Sequence, residues 1–177
     1  MLEFLFQYRG DLQFWTTILV SCAMLRWGGG PERAIALVIL IGMVGVDSAY
    51  HSLWDVTYQF DTVDVFHATM DMIFAGSFIL IALFANRMYP LWIASLQLMS
   101  ATSHLVREMV EAITPIAYAV MAFAPSWGIL AAMALGMWAH VRRKKKWGEY
   151  RSWRGSPPFF LERLSPRPVV DNLRQFG

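Results

Sequence analysis

Three histidine–carboxylate pairs punctuate the apolar part of this chain: Asp47/His51, His67/Asp71 and His104/Glu108. Each pair is four residues apart, the spacing that sets two side chains one turn apart on one helix face. Imidazole with carboxylate is a ligand set for zinc, iron or manganese. A carboxylate one turn from a histidine also suits the supporting position behind a ligand. The same residue types move protons in membrane pumps. Two histidines from different helices, such as His51 or His67 with His104, can ligate haem iron. The plainest alternative is structural, with Asp and His in apolar surroundings bonding each other to hold helices together. The candidate ligands or their supports are Asp47, His51, His67, Asp71, His104 and Glu108, with Arg107 as a charge partner.

These residues sit in a chain that is 56% hydrophobic and only 16% charged, with a mean hydropathy of +0.41. That is too apolar for an ordinary soluble domain. The apolar residues gather into runs near the length of about 20 residues that crosses a bilayer. The runs are continuous rather than alternating, which favours helices over a β-barrel. The expected fold is therefore an all-α, polytopic membrane helix bundle over residues 1–141. Five spans are expected, roughly 11–27, 33–54, 65–85, 89–108 and 115–141. Four spans with an interfacial N-terminal helix are the alternative. Residues 142–177 form a basic, proline-containing tail, expected to be flexible and cytoplasmic.

Gly28-Gly29-Gly30-Pro31 and Asn86-Arg87-Met88-Tyr89-Pro90 break the chain between runs. Pro125 lies within the last run. It leaves two options, a kinked single helix or an interfacial piece followed by a shorter crossing piece. The run Arg142-Arg143-Lys144-Lys145-Lys146 marks the cytoplasmic end by the positive-inside rule. Counting back through five spans places the N-terminus outside. Arg26, Arg33 and Arg87 then fall inside, whereas Asp47, Asp55, Asp61, Asp64, Asp71, Glu108 and Glu111 fall toward the outside. Tyr50, Trp54 and Tyr58 would lie near the outer interface, and Trp27, Tyr89, Trp92 and Trp138 near the inner one. The membrane is expected to be a plasma or bacterial inner membrane.

At about 1.5 Å of rise per residue, Asp47, Asp71 and His104 lie about 21–22 Å from the inner ends of their helices. His51, His67 and Glu108 lie about 27–28 Å from them. The six residues are thus expected in two layers of the outer leaflet, between the second, third and fourth helices. Gln97 and Ser100 extend the polar face of the fourth.

Gly128, Ala132 and Gly136 recur every four residues, a face for close helix packing within the chain or with a partner copy. Arg142, Arg143, Lys144, Lys145 and Lys146 could also meet anionic lipid. Leu19-Val20-Ser21-Cys22 resembles a lipoprotein cleavage site, but Glu3 and Asp11 precede it, so Cys22 reads as a helix-face residue. No phosphate loop, nucleophile elbow, His-Glu-x-x-His or nucleic-acid-binding fold is present. Two functions follow. One is a membrane protein with an outward His/carboxylate metal site, supporting hydrolysis or ion and proton movement. The other is a non-catalytic assembly subunit whose polar pairs only join helices.

Overall fold

A computed structural model describes residues 2–54, 65–109, 115–148 and 151–154. For residues 2–9, 54, 108, 115, 116, 118, 119, 122 and 123 it describes the backbone alone. The fold is all-α. Helix α1 spans Leu2–Trp27. Helix α2 (Gly30–Ile39), a π-helical segment (Leu40–Val46) and α3 (Asp47–Trp54) run on as one rod. Helices α4 (Val65–Phe84), α5 (Tyr89–Met109) and α6 (Pro115–Trp147) complete five rods.

The core draws on every rod: Val20 and Met24 of α1, Ile35 and Ile39 of α2, Phe78 and Ala82 of α4, Ile93 of α5, and Leu130 and Met133 of α6. On α1 the buried positions Thr17, Val20, Ser21 and Met24 follow helical spacing, while Cys22 is exposed. Gln13 donates to Ser126 Oγ at 2.7 Å and ties α1 to α6.

Pro125 is fully buried inside α6, which continues through it as one 33-residue helix. Of the two options left by the sequence, the single helix is the one formed. It also runs past residue 141 to Trp147. Gly148 then adopts φ +75°, and its N–H donates to Lys144 O at 3.0 Å. This is the left-handed cap that lets glycine end a helix. The small-residue face of α6 meets α5 within the chain. A Cβ on Gly128 would press on Leu96, and one on Gly136 would fall 2.6 Å from the Tyr89 ring.

Two rods are long and apolar enough to cross a membrane, Gly30–Leu53 and Val65–Phe84, each with a mean hydropathy of 1.7. Only 22% of either hydrophobic window is buried, and apolar side chains such as Ile41, Leu80 and Leu83 lie exposed on these rods. By length and composition, two of the five expected spans qualify among the described residues, and α1, α5 and α6 do not.

The π-helical segment was not foreseen from the sequence. An i→i+5 pattern inserts an extra residue into the turn and rotates everything beyond it. Asp47 N–H closes the segment by donating to Gly42 O. Gly42 is also where α4 approaches, because a Cβ there would overlap the Phe74 ring. Five residues on from Gly42 lies Asp47, and seven back from Phe74 lies His67, which is antiparallel register between the two rods.

Candidate metal centre

That register sets Asp47 against His67. His67 Nε2 lies 3.0 Å from Asp47 Oδ1 and His51 Nε2 lies 3.7 Å from the same oxygen. A carboxylate only accepts, so the His67 Nε2–H is the donor in this arrangement. Asp47, His51 and His67 each offer a ligand atom, and the three atoms all lie within 4.8 Å of one another. Their side chains are 22–27% exposed, covered but not sealed. Aromatic rings wall the cluster. Tyr50 stacks on Phe66 with centroids 3.7 Å apart, and Phe66 meets His67 edge-on at 5.2 Å. The two imidazoles are 5.4 Å apart, centroid to centroid.

Asp71 belongs to a second cluster, between α4 and α5. Gln97 Nε2 donates to its Oδ1 at 2.9 Å, and Ser100 Oγ donates to its Oδ2 at 2.7 Å. His104 Nε2 lies 3.2 Å from Oδ2. Positions 97, 100 and 104 share one face of α5, so a single aspartate is read by three successive places on that face. His104, Ser100 and Gln97 are buried. Ser103, also buried, turns its hydroxyl to Ser100 O at 2.7 Å. The two clusters join through α4, where His67 and Asp71 are one turn apart, about 6 Å along the axis.

The five sequence candidates whose side chains are described are therefore divided by helix interface and not by depth. Asp47 was expected with Asp71 and His104; it bonds His67 of the other layer. His51 and His67 do come together, as their levels implied. His104 stays with Asp71. The Glu108 side chain lies outside the described residues, as do Asp55, Asp61, Asp64 and Glu111. Arg107 is half-buried near the end of α5.

A third polar group escaped the sequence reading. At the opposite end of the rods, Glu32 is fully buried and pairs with Arg87, itself 7% exposed. Glu32 Oε2 accepts from Gly29 N–H at 3.1 Å, which serves the start of α2. Arg87 Nη2 reaches Ser152 Oγ at 3.4 Å. Residues 151–154 dock here. Asn86 N–H donates to Ser152 O at 3.1 Å, and Arg154 N–H to Phe84 O at 2.9 Å. The indole of Trp153 fills the space beside Gly30 that a Cβ would need. Within the glycine triplet, Gly29 followed three residues later by Glu32 was the available signal, but it reads equally well as a plain turn.

No family model, curated protein or solved structure matches this chain.

Proposed function

We propose that this chain is a multi-pass membrane protein that binds a divalent transition metal through Asp47, His51 and His67. The observation that carries this reading is the convergence of three ligand atoms, from two rods, within 4.8 Å of one another. Tetrahedral ligands at about 2.0–2.1 Å from zinc stand about 3.4 Å apart, so closure on a metal asks for a movement of roughly 1 Å. Imidazoles that keep about a fifth of their surface open can make that movement by rotating about their side-chain bonds. Two imidazoles and one carboxylate are the protein ligands of open sites, in which a further position takes water or substrate. Zinc, iron and manganese all suit this set, and haem suits it less. Activated-water hydrolysis and ion movement are the two activities that such a site supports.

The membrane reading rests on the two long apolar rods and on outward-facing side chains such as Leu19, Ile41, Leu80, Leu83 and Leu135, each more than half exposed. Five spans, with the N-terminus outside and the C-terminus cytoplasmic, fit the basic run in the last turns of α6 and the acids at the other end. The metal cluster then lies toward the outer face. Elemental analysis of the full chain purified in mild detergent tests the reading. About one metal per chain is expected, lost on chelation and regained on dialysis against zinc, iron or manganese. Absence of stoichiometric metal after that reloading rejects it.

A second reading is favoured by the Asp71 cluster, in which three donors already engage both oxygens. In a non-catalytic assembly subunit such a cluster would serve only to join α4 to α5. Recovery of a defined complex after gentle solubilisation would support it.

A further inference from the structure

Beside the Glu32–Arg87 pair, a cavity of about 240 Å³ opens between the start of α5 and the end of α6. Arg87, Arg143 and His140 line it, with Trp92 and Leu135 on its apolar side; no acid is among its described lining residues. His140 is 7% exposed, whereas Trp92 and Leu135 are about two-thirds exposed on the outer surface of the bundle. The lining thus passes from cationic and covered to apolar and open. Arg87 is largely neutralised by Glu32, so Arg143 carries the net charge of the cavity. Its neighbour Arg142 is committed elsewhere, with its guanidinium 4.6 Å from the centre of the Trp138 ring.

From these observations we infer that the cavity is a specific site for the phosphate headgroup of an anionic phospholipid. The inference rests on the membrane reading above and is independent of the metal. Three features select the ligand. The charge is positive, from Arg143, with no carboxylate among the described lining residues. The volume is below the roughly 300–1,000 Å³ of sites that enclose a drug-sized molecule, so it suits a headgroup and not a whole lipid. The open side is apolar and continuous with the lipid-facing surface, where acyl chains would lie along Leu135 and Trp92. A basic pocket between helix ends on the cytoplasmic side is a recognised place for anionic headgroups. The basic run itself would attract the leaflet diffusely; the cavity adds a discrete seat involving Arg143 and not Arg142.

The test uses native mass spectrometry of the full chain released from micelles doped with phosphatidylglycerol or phosphatidylcholine at equal mole fraction. One phosphatidylglycerol should remain bound in preference to phosphatidylcholine. Arg143→Ala should weaken its retention about fivefold, the effect of one basic residue at an anionic surface. Ala139→Leu, which fills the cavity without changing charge, should weaken it at least as much, and Arg142→Ala should not. Equal losses in both arginine variants with none in Ala139→Leu would mean diffuse attraction only and overturn the site. So would equal retention of the two lipids. If inorganic phosphate displaces the lipid and binds with the same dependence on Arg143 and Ala139, the ligand is free phosphate and the lipid assignment falls. Resistance of the native chain to alkaline extraction from membranes is measured alongside. A chain that is extracted refutes the membrane reading itself, whereas an integral chain without lipid preference refutes only the site.

Discussion

His67 donates to Asp47 at 3.0 Å across two rods, although Asp47 has its own histidine, His51, one turn along the same helix. The contact between helices is closer than the contact within one. Asp47 is therefore the residue that gathers both imidazoles, and its removal should disperse the centre.

If the proposed centre holds metal, Asp47→Asn, His51→Gln and His67→Gln should each reduce bound metal by an order of magnitude or more, because each removes a proposed ligand. Asp71→Asn and His104→Gln should leave metal content near the native value, since that cluster engages other partners. Metal-to-protein ratios across the five variants check this. A loss with His104→Gln equal to that with His67→Gln would show that the two clusters act as one site.

Asp71→Leu should weaken the packing of α4 on α5. It removes an acceptor shared by Gln97, Ser100 and His104 and leaves their polar groups in an apolar interface. On the proposed membrane reading, where hydrogen bonds between helices are worth about 0.6 kcal/mol on average, three suggest a loss of about 2 kcal/mol. Unfolding in mixed detergent micelles, followed by circular dichroism, measures the change. Asp71→Asn, which keeps an acceptor oxygen, should lose about half as much.

Glu32→Leu should be more damaging than any change in the two histidine clusters. It strands Arg87 without its partner, and breaking one side of a buried ion pair costs about 3–5 kcal/mol. The double variant Glu32→Leu/Arg87→Met removes both charges and should recover much of that loss. The same unfolding measurement compares single and double variants; a double variant no more stable than Glu32→Leu would contradict the pairing.

Gly30→Val should release residues 151–154. Its side chain would occupy the place of the Trp153 indole and break the main-chain bonds from Asn86 to Ser152 and from Arg154 to Phe84. Each such bond contributes about 1 kcal/mol, so tryptic cleavage after Arg154 should accelerate by an order of magnitude. Peptide mapping over time reads the rate. Unchanged cleavage after Arg154 would mean that this segment is not held by the Gly30 surface.

Several features were legible in the chain because they depend on one helix at a time. The four-residue spacing of Asp47/His51 and of His67/Asp71 needs only the helical period. So does the polar face of α5, on which Gln97, Ser100 and His104 were placed together. Depth is also a one-helix quantity, since it follows from rise per residue, and it brought His51 level with His67. Partner choice follows from rotation about each axis and from how closely two axes approach. The π-helical turn alters the first for Asp47, and the missing side chain of Gly42 alters the second by admitting Phe74. Neither enters a count of residues along a helix.

The sequence by itself determined the all-helical character, the breaks near Gly28–Gly30 and Asn86–Pro90, and the identity of the residues able to do chemistry. Apolar runs and backbone hydrogen bonding dictate these locally. Only the tertiary structure decided that Asp47 joins His51 and His67 while Asp71 joins His104, Gln97 and Ser100. It alone buried Glu32 against Arg87 beside Ser152, because contacts between segments far apart in the chain depend on the lateral packing of helices, which a linear pattern does not encode.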